Sequence, residues 1–345
     1  MKRLALLVLG LAAAAALVAY SLHQPYAGFA GEKFVEIPRG ASAREIAALL
    51  GREGVARTSW QFLLIRALRP RARLQAGEYR FAAPASVREV FDRIARGDVF
   101  YYQLQIPEGF SSFDIAAALD RLGLVSGEEF LRAVRNPALI RDLAPEAPSL
   151  EGYLFPDTYH LTRHTTAAEL SSLLTHRFRA AWQELGAPAD VHRMVTLASL
   201  VEKETSIAEE RPLVASVYAN RLKLGMKLDC DPTTVYAAML AGRYRGTLYR
   251  SDLDRNHPYN TYQHAGLPPG PIANPGLASL RAALQPARTS YLYFVAYADG
   301  SGRHQFSETL AAHQTAAARY QRAQRQNHKK AAPARASQPK KPRRS

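Results

Sequence analysis

The fold of the second half of this chain is decided by the stretch Val191-His-Arg-Met-Val-Thr-Leu-Ala-Ser-Leu-Val-Glu-Lys-Glu-Thr205. Its apolar residues recur every three or four positions, which predicts a helix over 190–204. Glu202 falls inside the apolar face near the helix C-terminus, whereas Glu204 lies on the far edge of that face. The apolar face holds Val191, Met194, Val195, Leu197, Ala198 and Val201, and the opposite, polar face holds His192, Thr196, Ser199 and Lys203.

Glu202 is the candidate catalytic residue of this helix. A carboxylate on an apolar face is costly unless it is paired or protonated. Burial and the negative end of the helix dipole both favour the protonated form. A carboxylic acid that is protonated near neutral pH can act as the general acid in cleavage of a glycosidic bond. The alternative is a structural ion pair between Glu202 and an arginine such as Arg211 or Arg221.

The N-terminus predicts a membrane anchor. The charged residues Lys2 and Arg3 precede an uncharged run of 19 residues from Leu4 to Leu22, which is about the length that spans a bilayer as a helix. The positive-inside rule places residues 1–3 in the cytoplasm, the anchor over 4–22 and the rest of the chain outside, in the periplasm. The alternative is a cleaved signal peptide, since the alanines of 12–16 offer a cleavage site. Either interpretation exports the body of the protein, so we expect no nucleic-acid partner.

The charge and composition indicate which partners and cofactors the protein can have. The formal net charge is +15, and the residues from His328 onward carry seven Lys/Arg and no acid, which predicts a disordered basic tail over 328–345. Without that tail the body carries about +8, which suits an anionic partner such as cell-wall polymer or a phospholipid surface. The single cysteine, Cys230, excludes an internal disulfide. The ten histidines have no metal-ligand spacing, so we expect no metal and no other cofactor.

An internal repeat follows a short predicted linker over 23–33. Phe34-Val-Glu-Ile-Pro-Arg-Gly40 and Leu104-Gln-Ile-Pro-Glu-Gly109 align at a shift of 69 residues, and each leads into an amphipathic segment, Ala43–Leu50 or Ser112–Leu119. Each copy predicts a short strand, a Pro-x-Gly turn, a serine-capped helix and a glycine stop. This unit resembles half of a LysM-type glycan-binding module. The alternative is a packing unit that binds nothing.

Further motifs combine aromatic, amide and acidic side chains with proline-stiffened loops. They are Glu151-Gly-Tyr-Leu-Phe-Pro-Asp-Thr-Tyr159, Asp229-Cys-Asp-Pro-Thr-Thr-Val-Tyr236, His257-Pro-Tyr-Asn-Thr-Tyr262, Gly266-Leu-Pro-Pro-Gly-Pro-Ile272 and Asn274-Pro-Gly276. In the second motif we expect Asp231 to cap a helix that has Pro232 in its first turn. Aromatic faces, amides and hydroxyls are the groups that bind sugars, so these loops predict a glycan site.

Together, these motifs resemble the endolytic murein transglycosylase family (MltG-type, YceG-like). The resemblance covers roughly Phe34–Tyr320 and includes Asn220-Arg-Leu-Lys-Leu-Gly-Met226 and His304-Gln-Phe-Ser307. It implies a single-pass inner-membrane protein in which Glu202 is the catalytic glutamate. Asp229-Cys230 departs from the family, which more often has Gln with Ser or Thr there, so we expect position 230 to need only a small residue. The candidate substrate-binding residues are Glu151, Tyr153, Asp157, Asp231, Tyr236, Tyr259, Asn260, Tyr262, Asn274 and His304.

The implied activity is endolytic cleavage of the β-1,4 bond between MurNAc and GlcNAc in nascent peptidoglycan strands. The muramyl C6 hydroxyl would attack in place of water, which gives 1,6-anhydro-MurNAc ends and limits strand length. Such a reaction needs one carboxyl group, whereas ordinary glycosidases need two. The implied partners are peptidoglycan strands and the inner membrane, and a glycan-polymerising wall synthase is a candidate partner.

Two alternatives to this activity stay open. The first is a two-carboxylate muramidase, a hydrolase in which Glu151 or Asp157 is the second acid. The second is a non-catalytic, membrane-anchored scaffold that binds peptidoglycan.

The predicted fold class is α+β with an N-terminal transmembrane helix. A LysM-like αβ region that contains the repeat is predicted over 34–145. A mostly helical catalytic transglycosylase domain with a small β portion is predicted over 146–327.

Overall fold

The computed structural model describes residues 1–186 and 190–331, with side chains as far as residue 326. The architecture is α+β with mostly helices and a few short strands, which confirms the predicted class. The chain divides into two compact units. The first unit is Met1–Gln103 with His160–Arg163, and the second is Leu104–Tyr159 with the chain from His164 onward.

The first unit consists of a long N-terminal helix and a strand–helix–helix–strand arrangement that ends in a further helix. Its two strands pair antiparallel, with Val35 opposite Tyr79 and Phe34 opposite Arg80. The elements are α1 (Lys2–His23), β1 (Lys33–Ile37), α2 (Ala43–Arg52), α3 (Ser59–Leu68), β2 (Gly77–Phe81) and α4 (Val87–Arg96).

The core of the first unit lies between this strand pair and the apolar faces of α2, α3 and α4. Period-two alternation turns every second strand residue inward, and period-3.6 spacing does the same for the helices. Ser42 caps α2 by accepting a hydrogen bond from the Glu45 amide, which confirms the serine cap predicted for the first copy of the repeat. The buried core residues include Val35, Ile37, Ile46, Leu50, Phe62, Ile65, Tyr79, Phe81, Phe91 and Ile94.

Helix α1 is, among the described residues, the one helix long and apolar enough to cross a membrane. Its apolar side chains are exposed along almost the whole length, and Leu22 alone is buried, in the core of the first unit. The segment after α1, predicted as a linker over 23–33, is packed onto the unit. Tyr26 exchanges backbone hydrogen bonds with Ala85, and the Gly28 amide donates to the Gly54 carbonyl.

The second unit is mostly helical. Its strands β5 (Tyr293–Ala296) and β6 (His304–Ser307) pair with each other. Strands β3 (Tyr102–Gln105) and β4 (Thr158–Leu161), whose residues are divided between the two units, also pair. Short 3₁₀ helices cover Pro137–Ile140 and Ala208–Glu210. The α-helices are α5 (Ser112–Leu122), α6 (Gly127–Val134), α7 (Ala167–Leu185), α8 (Val191–Glu204), α9 (Arg211–Lys223), α10 (Asp231–Leu240), α11 (Arg250–Leu253), α12 (Leu277–Leu284) and α13 (Leu310–Ala331).

Helix α8 lies at the centre of the second unit and packs against α9, α10 and α12. The predicted helix is confirmed, with Asp190 as its N-cap. The predicted polar face is wrong at Thr196 and Ser199, which are both buried. Their hydroxyls donate to the carbonyls of His192 and Thr196 within the helix, so they enter the core without an unsatisfied donor.

The two copies of the repeat lie in different units. The second copy supplies α5, which Ser111 caps in the same way as Ser42 caps α2. The compact units therefore divide at Gln103 and Leu104, whereas the predicted functional domains, 34–145 and 146–327, stay a prediction. Helix α13 continues to Ala331, through a sequence rich in good helix formers, and the disorder of the basic tail over 328–345 stays a prediction. The rest of the tail lies outside the described residues.

Candidate active site

The carboxylate of Glu202 is held by two donors at the C-terminal end of α8. Its Oε2 accepts a hydrogen bond of 3.0 Å from the Gly276 amide. Its Oε1 lies 3.4 Å from Nη2 of Arg211, and the Glu202 side chain is only 6% exposed. The alternative that Glu202 pairs with an arginine is thus confirmed for Arg211, whereas Arg221 pairs with Asp229.

A second carboxylate shares the same guanidinium. Glu108 Oε2 lies 3.7 Å from Nη2 of Arg211, and its side chain is 49% exposed. Desolvation raises the pKa of Glu108, the negative charge of Glu202 raises it further, and Arg211 lowers it. Two carboxylates beside one cation leave one excess negative charge, so Glu108 holds a proton more readily than a free glutamate does.

Glu108 was missed by the sequence analysis, although the repeat carries a signal for it. Glu108 aligns with Arg39 of the first copy, between the shared proline and the shared glycine. A reversal of charge at one position of an otherwise matching motif indicates that the second copy has a separate task there.

Glycines let the backbone approach both carboxylates. Gly109 has φ of +77°, and a Cβ there would lie 3.5 Å from Cγ of Glu202. A Cβ at Gly276 would overlap the Glu108 carboxylate, so a larger residue there would displace that side chain from its present position. The Gly109 carbonyl also accepts a hydrogen bond of 3.1 Å from Lys203 Nζ, which adds a second cation to the rim of the site.

The loop that carries Gly276 is fixed by Asn274, which is fully buried. Its side-chain Oδ1 accepts hydrogen bonds from the amides of Gly152 and Leu154. Its Nδ2 donates to the Phe110 carbonyl and to Glu151 Oε1. Since these partners come from two other segments, the Asn274 side chain holds three segments of the chain together.

Glu151 is a buried acid at the start of helix α5. It accepts hydrogen bonds from the Ser112 amide, the Ser112 hydroxyl and the Tyr236 hydroxyl, besides that from Asn274. Burial raises the pKa of Glu151 to about 7, although the hydrogen bonds from Ser112 and Tyr236 act in the opposite direction. A position at a helix N-terminus also favours an anion. Glu151 therefore holds the start of α5, helix α10 and the Asn274 loop together. Among the described residues, its carboxyl group makes no ion pair with Arg211.

Three more of the predicted substrate-binding residues are buried with partners of their own. The Tyr153 hydroxyl hydrogen-bonds His192 Nδ1. Asn260 donates to three carbonyls between Asp252 and Arg255. Tyr259 packs on Tyr236, with ring centroids 5.1 Å apart. Contact of these side chains with a glycan stays a prediction, and their burial argues against it.

The remaining predicted residues lie nearer the surface. Asp231 accepts a hydrogen bond of 2.6 Å from the Tyr262 hydroxyl. The expectation that Asp231 caps α10 is wrong, because Cys230 is the cap residue and Asp231 is the first residue of the helix. Exposed Asp157 pairs with Arg177, and His304 pairs with Glu210 at 2.7 Å.

Glu204 points away from Glu202 into a separate buried cluster. Its Oε1 accepts hydrogen bonds from the Tyr218 hydroxyl and the Cys230 thiol, and burial raises the pKa of Glu204. Glu204, which the sequence placed on the far edge of the apolar face, is therefore buried as well. The Cys230 thiol is a donor to this buried carboxyl group, and the expectation that position 230 needs only a small residue stays a prediction.

Comparison with known proteins places the chain in a family. The family model described as "YceG-like family" matches residues 35–319, which is most of the chain. The chain belongs to the YceG-like family. The resemblance inferred from the motifs is confirmed.

Named relatives and a solved structure agree with this assignment. A protein of Bacillus subtilis named endolytic murein transglycosylase is 32% identical over 307 residues, which are 83% of this chain and 84% of that relative. A protein of the same name from Streptococcus pneumoniae is 28% identical over 76% of this chain, but only 54% of that relative is matched. The crystal structure of a YceG-like protein from Listeria monocytogenes aligns with a TM-score of 0.53 and 30% identity, covering 82% of this chain and 98% of that one.

Asn274→Ala tests the network that fixes the site. The change removes four hydrogen bonds and leaves the amides of Gly152 and Leu154 buried without an acceptor. We expect it to lower the free energy of unfolding by about 3 kcal/mol. Thermal unfolding followed by circular dichroism measures this loss. The matched control is Asn136→Ala, which removes one local hydrogen bond, and equal destabilisation by both variants would contradict the assigned role of Asn274.

Proposed function

We propose that this protein is an endolytic peptidoglycan lytic transglycosylase with Glu202 as its catalytic acid and base. The observation that carries the proposal is the nearly buried Glu202 carboxyl group, held between a backbone amide and Arg211. The relatives named endolytic murein transglycosylase support the substrate and the reaction. The bond cleaved would be the β-1,4 bond between MurNAc and GlcNAc in nascent strands.

The proposed reaction needs one carboxyl group in two roles. Glu202 donates its proton to the glycosidic oxygen as the bond from that oxygen to the muramyl C1 breaks. The C6 hydroxyl of the same MurNAc attacks C1, and its proton returns to Glu202. The product is a 1,6-anhydro ring, and the enzyme ends in the protonation state in which it began.

Arg211 and Glu108 support a carboxyl group that must lose and regain a proton. When Glu202 is ionised, Arg211 and the Gly276 amide stabilise its charge. When Glu202 is protonated, Glu108 still balances the buried cation. Because a buried cation without a partner is costly, Glu108 lowers the cost of the protonated state of Glu202.

The second carboxylate beside Arg211, that of Glu108, favours a second candidate function, a two-carboxylate muramidase. The partner acid would then be Glu108, since Glu151 and Asp157 are bound to other residues. Glu108 would activate water, and the products would carry reducing ends in place of anhydro ends.

We also propose that α1 anchors the protein in the inner membrane with the two units on the periplasmic side. The exposed apolar surface of the helix and Lys2-Arg3 before it support this orientation. We further propose that β1–α2–α3–β2 is a LysM-like glycan-binding module. A cavity of about 340 Å³ at the Pro38–Gly40 turn, lined also by Glu45 and Arg52, supports that role. A glycan-polymerising wall synthase at the same membrane is a proposed partner.

Glu202→Gln tests the proposed chemistry. Glutamine keeps the shape and cannot donate or accept the catalytic proton, so we expect release of glycan fragments to fall by about a thousandfold. Purified peptidoglycan digested by the full chain and analysed by mass spectrometry gives both the rate and the type of end. The control is Glu209→Gln, an exposed acid on the adjoining 3₁₀ helix.

Each outcome of this digest separates two functions. Anhydro ends from the parent protein support the transglycosylase, and reducing ends support the muramidase. Cleavage that persists in Glu202→Gln removes Glu202 from the mechanism. A parent protein that binds peptidoglycan without cutting it would support the scaffold.

Glu108→Gln tests whether the negative charge of Glu108 beside Arg211 affects the proton of Glu202. Removal of this negative charge leaves Arg211 to interact with one carboxylate, so the site holds its proton less strongly. We expect the alkaline limb of the pH–rate profile to move to lower pH by about one unit. Glu108→Asp retains the charge and should keep the limb near that of the parent. A Gln variant with the parent's profile and rate rules out the proposed role of Glu108.

A further inference from the structure

Helix α1 runs without a break into the first unit. The side chain of Leu22, the last residue of the apolar run, is buried in the core of that unit. One residue earlier, the Ser21 carbonyl accepts a hydrogen bond of 3.2 Å from Gln61 Nε2. The first unit is therefore fixed to the outer end of the membrane helix and has no free linker between them.

This attachment sets the depth at which nearby side chains lie relative to the hydrocarbon core of the bilayer. The apolar run of α1 is roughly 28 Å long at 1.5 Å per residue, which matches the hydrocarbon core. The polar headgroup layer extends about 5–8 Å beyond that core on each side. Groups that contact residues 21–26 consequently lie at the level of the phospholipid headgroups.

A cavity of about 350 Å³ opens at this level. Its lining combines aromatic rings, amides and one cation: Tyr20, Gln24, Tyr26, Arg57 and Gln61. The guanidinium of Arg57 lies over the Tyr26 ring, 5.2 Å from its centroid. Arg57 is exposed, and in the part of the chain that the structure describes it has no carboxylate partner.

A second cation and two exposed aromatic side chains belong to the same end of the first unit. Arg88 is exposed, and its Nη1 lies 2.9 Å from Nε2 of His23, the last residue of α1. Tyr20 on α1 is 64% exposed, and Trp60, next to Gln61 on α3, is 49% exposed. Tyrosine and tryptophan at the end of a membrane helix are typical of the lipid–water interface, and arginine there attracts anionic lipid.

We propose that this cavity binds the phosphate-bearing headgroup of an anionic phospholipid of the outer leaflet, with Arg57 and Arg88 as its cationic contacts. The inference rests on the proposed membrane anchoring of α1. The lipid phosphate takes the place of the carboxylate that Arg57 lacks. The bound headgroup ties the first unit to the membrane surface at a second point besides the anchor.

The test uses the full chain in detergent, titrated with phosphatidylglycerol, phosphatidylcholine or inorganic phosphate. Native mass spectrometry counts the lipids that stay bound. We expect one phosphatidylglycerol to be retained in preference to phosphatidylcholine, and inorganic phosphate not to displace it. The double variant Arg57→Gln/Arg88→Gln should bind phosphatidylglycerol roughly 30-fold more weakly, since each arginine near the membrane surface contributes about a fivefold gain in affinity.

The control is Arg44→Gln, an exposed arginine on α2 that does not line the cavity. Equal retention of phosphatidylglycerol by the double variant and the parent overturns the site, as does equal retention of phosphatidylcholine. Displacement by inorganic phosphate overturns the lipid as its ligand. Insertion of the chain into phosphatidylcholine nanodiscs tests the anchor separately, so a chain that inserts but has no preference for phosphatidylglycerol refutes the lipid site alone.

Discussion

The Glu151 carboxyl group is surrounded by donors from segments that are far apart in the sequence. Ser112 at the start of α5, Tyr236 in α10 and Asn274 in the loop before α12 all donate to it. A buried acid is tolerated only when its oxygens are satisfied, so these segments must arrive together. Two segments of the candidate active site lie outside α8 and α9, and the positions of both depend on this convergence. Glu108 and Gly109 precede α5, and Gly276 follows Asn274.

The chemistry of Glu202 depends on this same constraint. Its amide donor comes from Gly276, two residues after Asn274, and its cation comes from the first residue of α9. Neither donor belongs to the helix that carries Glu202. The carboxyl group is therefore positioned by a loop whose geometry is fixed from the opposite side by the Glu151 and Asn274 hydrogen bonds. The buried side chains of Glu151 and Asn274 can for this reason decide how Glu202 is placed.

Local patterns in the sequence predicted the elements well, because those patterns act over one or two turns of chain. The period of α8 and the serine caps of α2 and α5 follow from neighbours three or four residues apart. The role of Asn274 could not be read in this way, since its partners lie more than 100 residues away. The burial of Ser199 likewise depends on the Ile272 amide, which donates to its hydroxyl. Glu108 was an intermediate case, because only the comparison between repeat copies marks its position.

The direct passage of α1 into the first unit has a consequence for how the anchor transmits orientation. A flexible tether absorbs an added or deleted residue, but a continuous helix converts it into rotation, at 100° per residue. In the proposed membrane-anchored state, the side of the first unit that faces a given direction along the membrane would thus depend on helical phase as well as on distance. With α1 as the proposed anchor, the number of residues between Leu4 and Leu22 would be constrained twice, by the thickness of the bilayer and by the direction in which the unit must face.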